Sequence, residues 1–145
     1  MSTTIDLTPI SGPSAWRGED LAGSTEWIYQ LSDAERDELE AVGRRFVADV
    51  PDMRAVTADD YPLDACTGLI EECARQMDSG RGFILVRGLR TPEYGDAVAG
   101  AIFFVMGLHL GSPMPQNQYG DVLDHVIATS DKTMDDPTAL PSRVR

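Results

Sequence analysis

Between two glycine-flanked arginines the chain runs Gly80-Arg81-Gly82-Phe83-Ile84-Leu85-Val86-Arg87-Gly88-Leu89. Its centre is apolar without polar alternation and holds aromatic and β-branched members. That pattern predicts a strand over 82–86 covered on both faces. Downstream, Thr91 and Pro92 suit the N-cap and first turn of a helix. Ala97, Ala101, Ile102, Phe104 and Val105 extend it over 92–108. A Gly/Pro/Gln loop over 111–120 and a second strand over 122–129 complete a strand-helix-strand unit, 81–129. Residues 130–145 form a polar tail with no periodicity.

Upstream, Ser32-Asp33-Ala34-Glu35 is a capping box: the serine accepts from the Glu35 amide and Glu35 reaches back. Leu39, Val42, Phe46 and Val50 follow at helical spacing until Pro51, predicting a helix over 33–49. Glu38 falls on its solvated acidic face, where truncation is expected to cost within about 0.5 kcal/mol. Pro62 and Asp64 open a second helix. Its buried face is Cys66, Leu69 or Ile70, Cys73 and Met77, and Gly80 is its left-handed cap. Residues 31–80 are thus an acidic helical region. Residues 1–30 are an arm rich in turn formers, whose Trp16, Trp27 and Tyr29 pack against the body.

The chain has 145 residues, 42% hydrophobic and 25% charged, enough for one folded domain. Residues 1–80 carry 17 acids against 6 bases, and residues 81–145 carry 7 against 6. The formal net charge of -12 disfavours nucleic acid and anionic membrane surfaces as partners. No apolar run reaches the ~20 residues of a membrane helix, and the first residues lack the basic and apolar regions of a secretory signal. Cys66 and Cys73 lie seven apart on one helix, about 10.5 Å along its axis, beyond the ~7 Å reach of a disulfide. They read as reduced, buried thiols of a cytoplasmic protein.

Several chemistries fail on inspection. There is no G-x-S-x-G elbow and no P-loop, and the single lysine, Lys132, lies in the polar tail. The cysteines lack C-x-x-C spacing. His109 and His125 are the two histidines, and neither has a carboxylate two places on, as the H-x-D or H-x-E of a non-heme iron triad requires. Spacing alone leaves open a site built from His109, His125 and Asp121 or Asp124, against the simpler reading of structural histidines.

Three segments in order carry a resemblance: Gly12-Pro13-Ser14-Ala15-Trp16-Arg17-Gly18, the 80–89 stretch, and Gly107-Leu108-His109-Leu110-Gly111-Ser112-Pro113-Met114-Pro115-Gln116-Asn117. Together they resemble the TauD/TfdA-like (taurine dioxygenase-like) family, and within it the clavaminate synthase-like members, over residues 12 to 137. The resemblance implies an α+β fold: the flanking helices and first strands of a double-stranded β-helix (jelly-roll) oxygenase. It implies an Fe(II)- and 2-oxoglutarate-dependent dioxygenase acting on a small molecule. The family's H-x-D and distal histidine match nothing here. The expectation is therefore a single, incomplete domain over 1–145, truncated before the metal-binding core and inactive alone, with no catalytic or metal-ligating residue assigned. Iron and 2-oxoglutarate are not expected to bind this chain alone, and its partner would be itself or a complementary C-terminal fragment.

By the same resemblance, the 112–119 loop approaches the substrate side, with Gln116 and Asn117 as its polar contacts. The alternative is that their amides satisfy the loop backbone. His109 is implied to be a packing or capping residue. Two other readings stand beside the oxygenase: a non-enzymatic acidic interaction module, and an unrelated α/β domain in which strands 82–86 and 122–129 pair in parallel.

Overall fold

The computed structural model describes Pro9, residues 11–124, and the backbone of 126–127 and 143–144. The capping box forms: Ser32 Oγ accepts from the Glu35 amide at 3.3 Å, and the Glu35 carboxylate takes the Ser32 amide at 2.8 Å. Label the short turn of helix Gly18–Leu21 α1; the capped helix, Asp33–Asp49, is then α2. Leu39, Val42 and Phe46 are buried, as the spacing predicts. Val50 is not: it is 82% exposed, with a left-handed φ of 46°. The residue before a proline is driven out of the right-handed helical region, so Val50 ends the helix instead of extending its apolar face.

Helix α3, Thr67–Asp78, buries Leu69 and Cys73, with Cys66 at its N-cap. Glu38 accepts the Ala65 and Cys66 amides at 3.0 and 2.9 Å. Far from being a spare surface acid, it satisfies otherwise unpaired amides at the start of α3. Met77 is half exposed, because Gln76 takes the core-facing place in the last turn. The left-handed residue is Gly82 (φ 82°), not Gly80; its amide reaches the Gln76 carbonyl at 2.8 Å. Gly80 is needed for room, since a Cβ there would stand 2.7 Å from Gln76 Cα.

Strand β1, Ile28–Gln30, lies inside the segment read as an arm, and it pairs in parallel with β2, Leu85–Arg87. The expected strand over 82–86 is thus shifted toward the C-terminus, and it is not covered on both faces: Val86 is half-buried, but Leu85 is 39% exposed. Two strands packed from one side leave the alternate side chains in solvent. Phe83 precedes the strand and sits between Trp16 and Trp27, with ring centroids 5.0 and 6.0 Å away. Trp16 Nε1 also donates to the Arg81 carbonyl at 2.9 Å, which ties this part of the arm to the turn before β2.

A 3-10 turn, Thr91–Glu93, leads through Gly95 (φ 70°) into α4, Gly95–Leu110. The helix is entered without a Thr91 side-chain cap, and Ala97 is exposed. Ala101, Ile102, Phe104, Val105 and Leu108 are buried. Helices α2 and α4 form the centre of the core, meeting where Gly43 leaves no space: a Cβ there would lie 2.6 Å from Ile102 Cγ1. Phe46 bridges onward to Tyr61 and Phe104, at centroid distances of 5.0 and 5.5 Å. Among the described residues the second strand is β3, Val126–Ile127, antiparallel to β4, Arg143–Val144. Among the described residues β2 and β3 belong to different two-stranded sheets, and no parallel pairing joins them.

Candidate functional site

Helix α4 delivers the chain into the 111–124 loop, and the loop is organised by one side chain. Asn117 Oδ1 accepts from the Tyr119 and Asp121 amides at 2.9 and 3.1 Å. Its Nδ2 donates to Asp121 and Asp124 carboxylates at 2.7 and 2.8 Å. Gln116 closes the loop at its start: its backbone amide donates to the Asp121 carbonyl at 2.6 Å, and its Nε2 to the Met114 carbonyl at 2.8 Å. Both amides predicted to face a substrate therefore satisfy the loop. They part company in one respect: Gln116 lines an open groove, and Asn117 does not.

That groove, of about 410 Å³, runs between α4 (Phe103, Leu108), Met77, the loop (Pro113, Met114, Gln116) and Leu123. None of its lining residues is charged. Phe103 and Met114 are 71% and 68% exposed, so its walls stand bare to solvent. A concave apolar surface with few polar groups is the form small-molecule sites take.

Arg54 was not singled out by the sequence. Its Nε and Nη2 donate to the Gly120 and Tyr119 carbonyls, each at 3.2 Å. No motif marks such a contact, because it reads backbone 65 residues away. His109 Nε2 lies 2.9 Å from the Tyr61 carbonyl, tying the end of α4 to the loop before α3, in keeping with a packing role. His125 lies outside the described residues.

The described residues do not fit an iron site. Among them no group of three or more His, Cys, Asp or Glu side chains could hold a metal ion. Asp121 and Asp124 share the Asn117 amide, and His109 faces a carbonyl.

Two charged networks outside the loop are structural. Glu40 on α2 is fully buried and takes Arg90 Nε at 3.0 Å and Nη2 at 2.5 Å, with Arg44 at 3.6 Å. The hydrogen bonds from Arg90 hold its carboxyl below the ordinary value, overcoming the opposing effect of burial. Burial alone pushes Glu35 up, but hydrogen bonds from Tyr29 and Ser32 outweigh it and bring the carboxyl down. The same bond raises Tyr29 to about 12. Burial, and then the neighbouring Glu38, pushes the Cys66 thiol up to about 12, and burial raises Cys73. Neither is a nucleophile at neutral pH.

No family model matches the chain. It is similar to a protein named FR-33289 synthase from Streptomyces rubellomurinus (strain ATCC 31215), 27% identical over 113 residues. The matched stretch is 78% of this chain and 33% of that protein, so the chain spans about a third of the length of the curated relative it matches. Among the described residues, no helix is long and apolar enough to cross a membrane.

Proposed function

We propose that this chain is the front portion of an Fe(II)/2-oxoglutarate-dependent dioxygenase acting on a small molecule, a cytoplasmic oxidoreductase whose iron and cosubstrate residues come from another polypeptide segment. The observation that carries the reading is the likeness to a protein named as a synthase over most of this chain but a third of that protein. The ordered sequence segments that resemble the TauD/TfdA-like family fall in the same chain. The uncharged groove supports it from the other side. In a chain of net charge -12, a concave surface without a charge suits an apolar occupant, which on this reading is a small substrate at the Gln116 rim. No step through iron is derived from the residues present.

The test is to read the gene past codon 145 in all three frames and to express the chain with the product encoded there. Expected are an H-x-D or H-x-E with a distal histidine, and 2-oxoglutarate consumption by the pair but by neither part alone. Two results would overturn the proposal. One is a downstream product without those residues. The other is an anaerobic Fe(II) titration giving a saturating one-to-one site on this chain alone, lost in His109→Ala.

A further inference from the structure

We infer that Arg54 is the positioning residue of the 116–121 loop: its forked grip on two backbone carbonyls sets where the groove wall stands. The inference rests on the reading of that loop as the substrate side.

The grip is prepared from both ends. On one side, α2 stops at the left-handed Val50, and the turn beyond it is fixed by Asp52. The Asp52 carbonyl accepts the Ala55 and Val56 amides at 2.9 and 3.0 Å, and its carboxylate accepts the Arg54 amide at 3.0 Å. On the other side, the loop is a closed unit built on Asn117, whose carbonyl also accepts the Gly120 amide at 3.1 Å. The two meet at a glycine whose backbone strains any other residue. Gly120 has φ 80°, and a Cβ there would stand 2.9 Å from Arg54 Nη2. A planar guanidinium can serve two carbonyls from one fixed plane, whereas an ammonium is a single point charge. Pro113, Met114 and Gln116 lead into the closed unit and Leu123 follows it, so the width of the groove follows the place at which Arg54 holds the unit.

The loop supplies its own reporters: the amide protons of Gln116, Tyr119, Gly120 and Asp121 are all hydrogen-bonded within it. Native-state hydrogen exchange on the full chain should show these four exchanging about tenfold faster or more in Arg54→Ala, the scale of losing charge-assisted hydrogen bonds. Amides in the middle of α2 and α4 should keep their parent rates, and Arg54→Lys should restore protection only in part. Gly120→Ala, which keeps the arginine but fills its space, should give the same local pattern. Parent-like protection of the four amides in either variant would overturn the inference. So would an equal acceleration in the helices, or full recovery with lysine. Absence of 2-oxoglutarate turnover would leave these rates untouched, so the functional reading and this one fail separately.

Discussion

Helices α2 and α4 pack on each other, yet they are written differently. α2 sets an apolar core face (Leu39, Val42, Phe46) beside acids and arginines, most of them exposed, with Glu35 and Glu40 buried on hydrogen-bond partners. α4 has one acid, Asp96, and then no charge through Leu108. One side of it fills the seam with α2, through Ala101, Ile102 and Val105. The other presents Phe103, 71% exposed, to the groove. A helix apolar all round is built to be covered on all sides. The contrast separates the covered side of α4 from its bare side.

The seam should be the costliest place to disturb. Ile102→Ala removes a fully buried side chain against Gly43, and about 3–4 kcal/mol of unfolding free energy should be lost in denaturant melts. A loss under about 1 kcal/mol there would break the comparison. Next comes Glu40→Ala, with about 2 kcal/mol, because the half-exposed Arg90 left behind can rehydrate. This pair also sets a pH dependence. Glu40 has its carboxyl lowered in the folded state, so its contribution is complete above the unfolded value near 4.5 and is lost as pH falls through the lower folded value. Glu40→Gln should flatten that acid limb of the stability curve.

Phe83→Ala, which empties the slot between Trp16 and Trp27, should cost about 1–2 kcal/mol and quench the tryptophan signature of the packed arm. The smallest effect should be at the bare face of α4. Phe103→Ser should change the unfolding free energy by about 0.5 kcal/mol or less while reducing association of the chain at high concentration in sedimentation. A large stability loss would mean that Phe103 already has its cover within the chain.

Local chemistry was legible and distant pairing was not. The Ser32–Glu35 box and the buried Leu39, Val42, Phe46, Ala101, Ile102, Phe104 and Val105 follow from residues three or four apart, whereas Val50 and Ala97, read on the same faces, are exposed. β1 was hidden because three residues in a turn-rich arm become a strand only through Leu85–Arg87, more than fifty positions on. The shift of β2 has the same origin, since its partner selects which part of the apolar run pairs. Glu38 looked like surface charge because its partners, the amides of Ala65 and Cys66, belong to the turn that opens a different helix. Arg54 left no trace for a like reason: carbonyls have no side-chain signature. In the loop, Gln116 and Asn117 were visible as polar residues, but their choice between substrate and backbone is decided by geometry.

The burial of both cysteines has a practical consequence. Cys66 and Cys73 sit in the core cluster, 0% and 3% exposed, and a thiol raised to about 12 supplies almost no thiolate at neutral pH. A thiol reagent added to the folded chain therefore labels only molecules that have opened. The labelling rate is a clock for that opening, started by the reagent and read by mass, with the two sulfurs distinguished by peptide. A complementary segment seated on the groove would slow the clock without touching either sulfur.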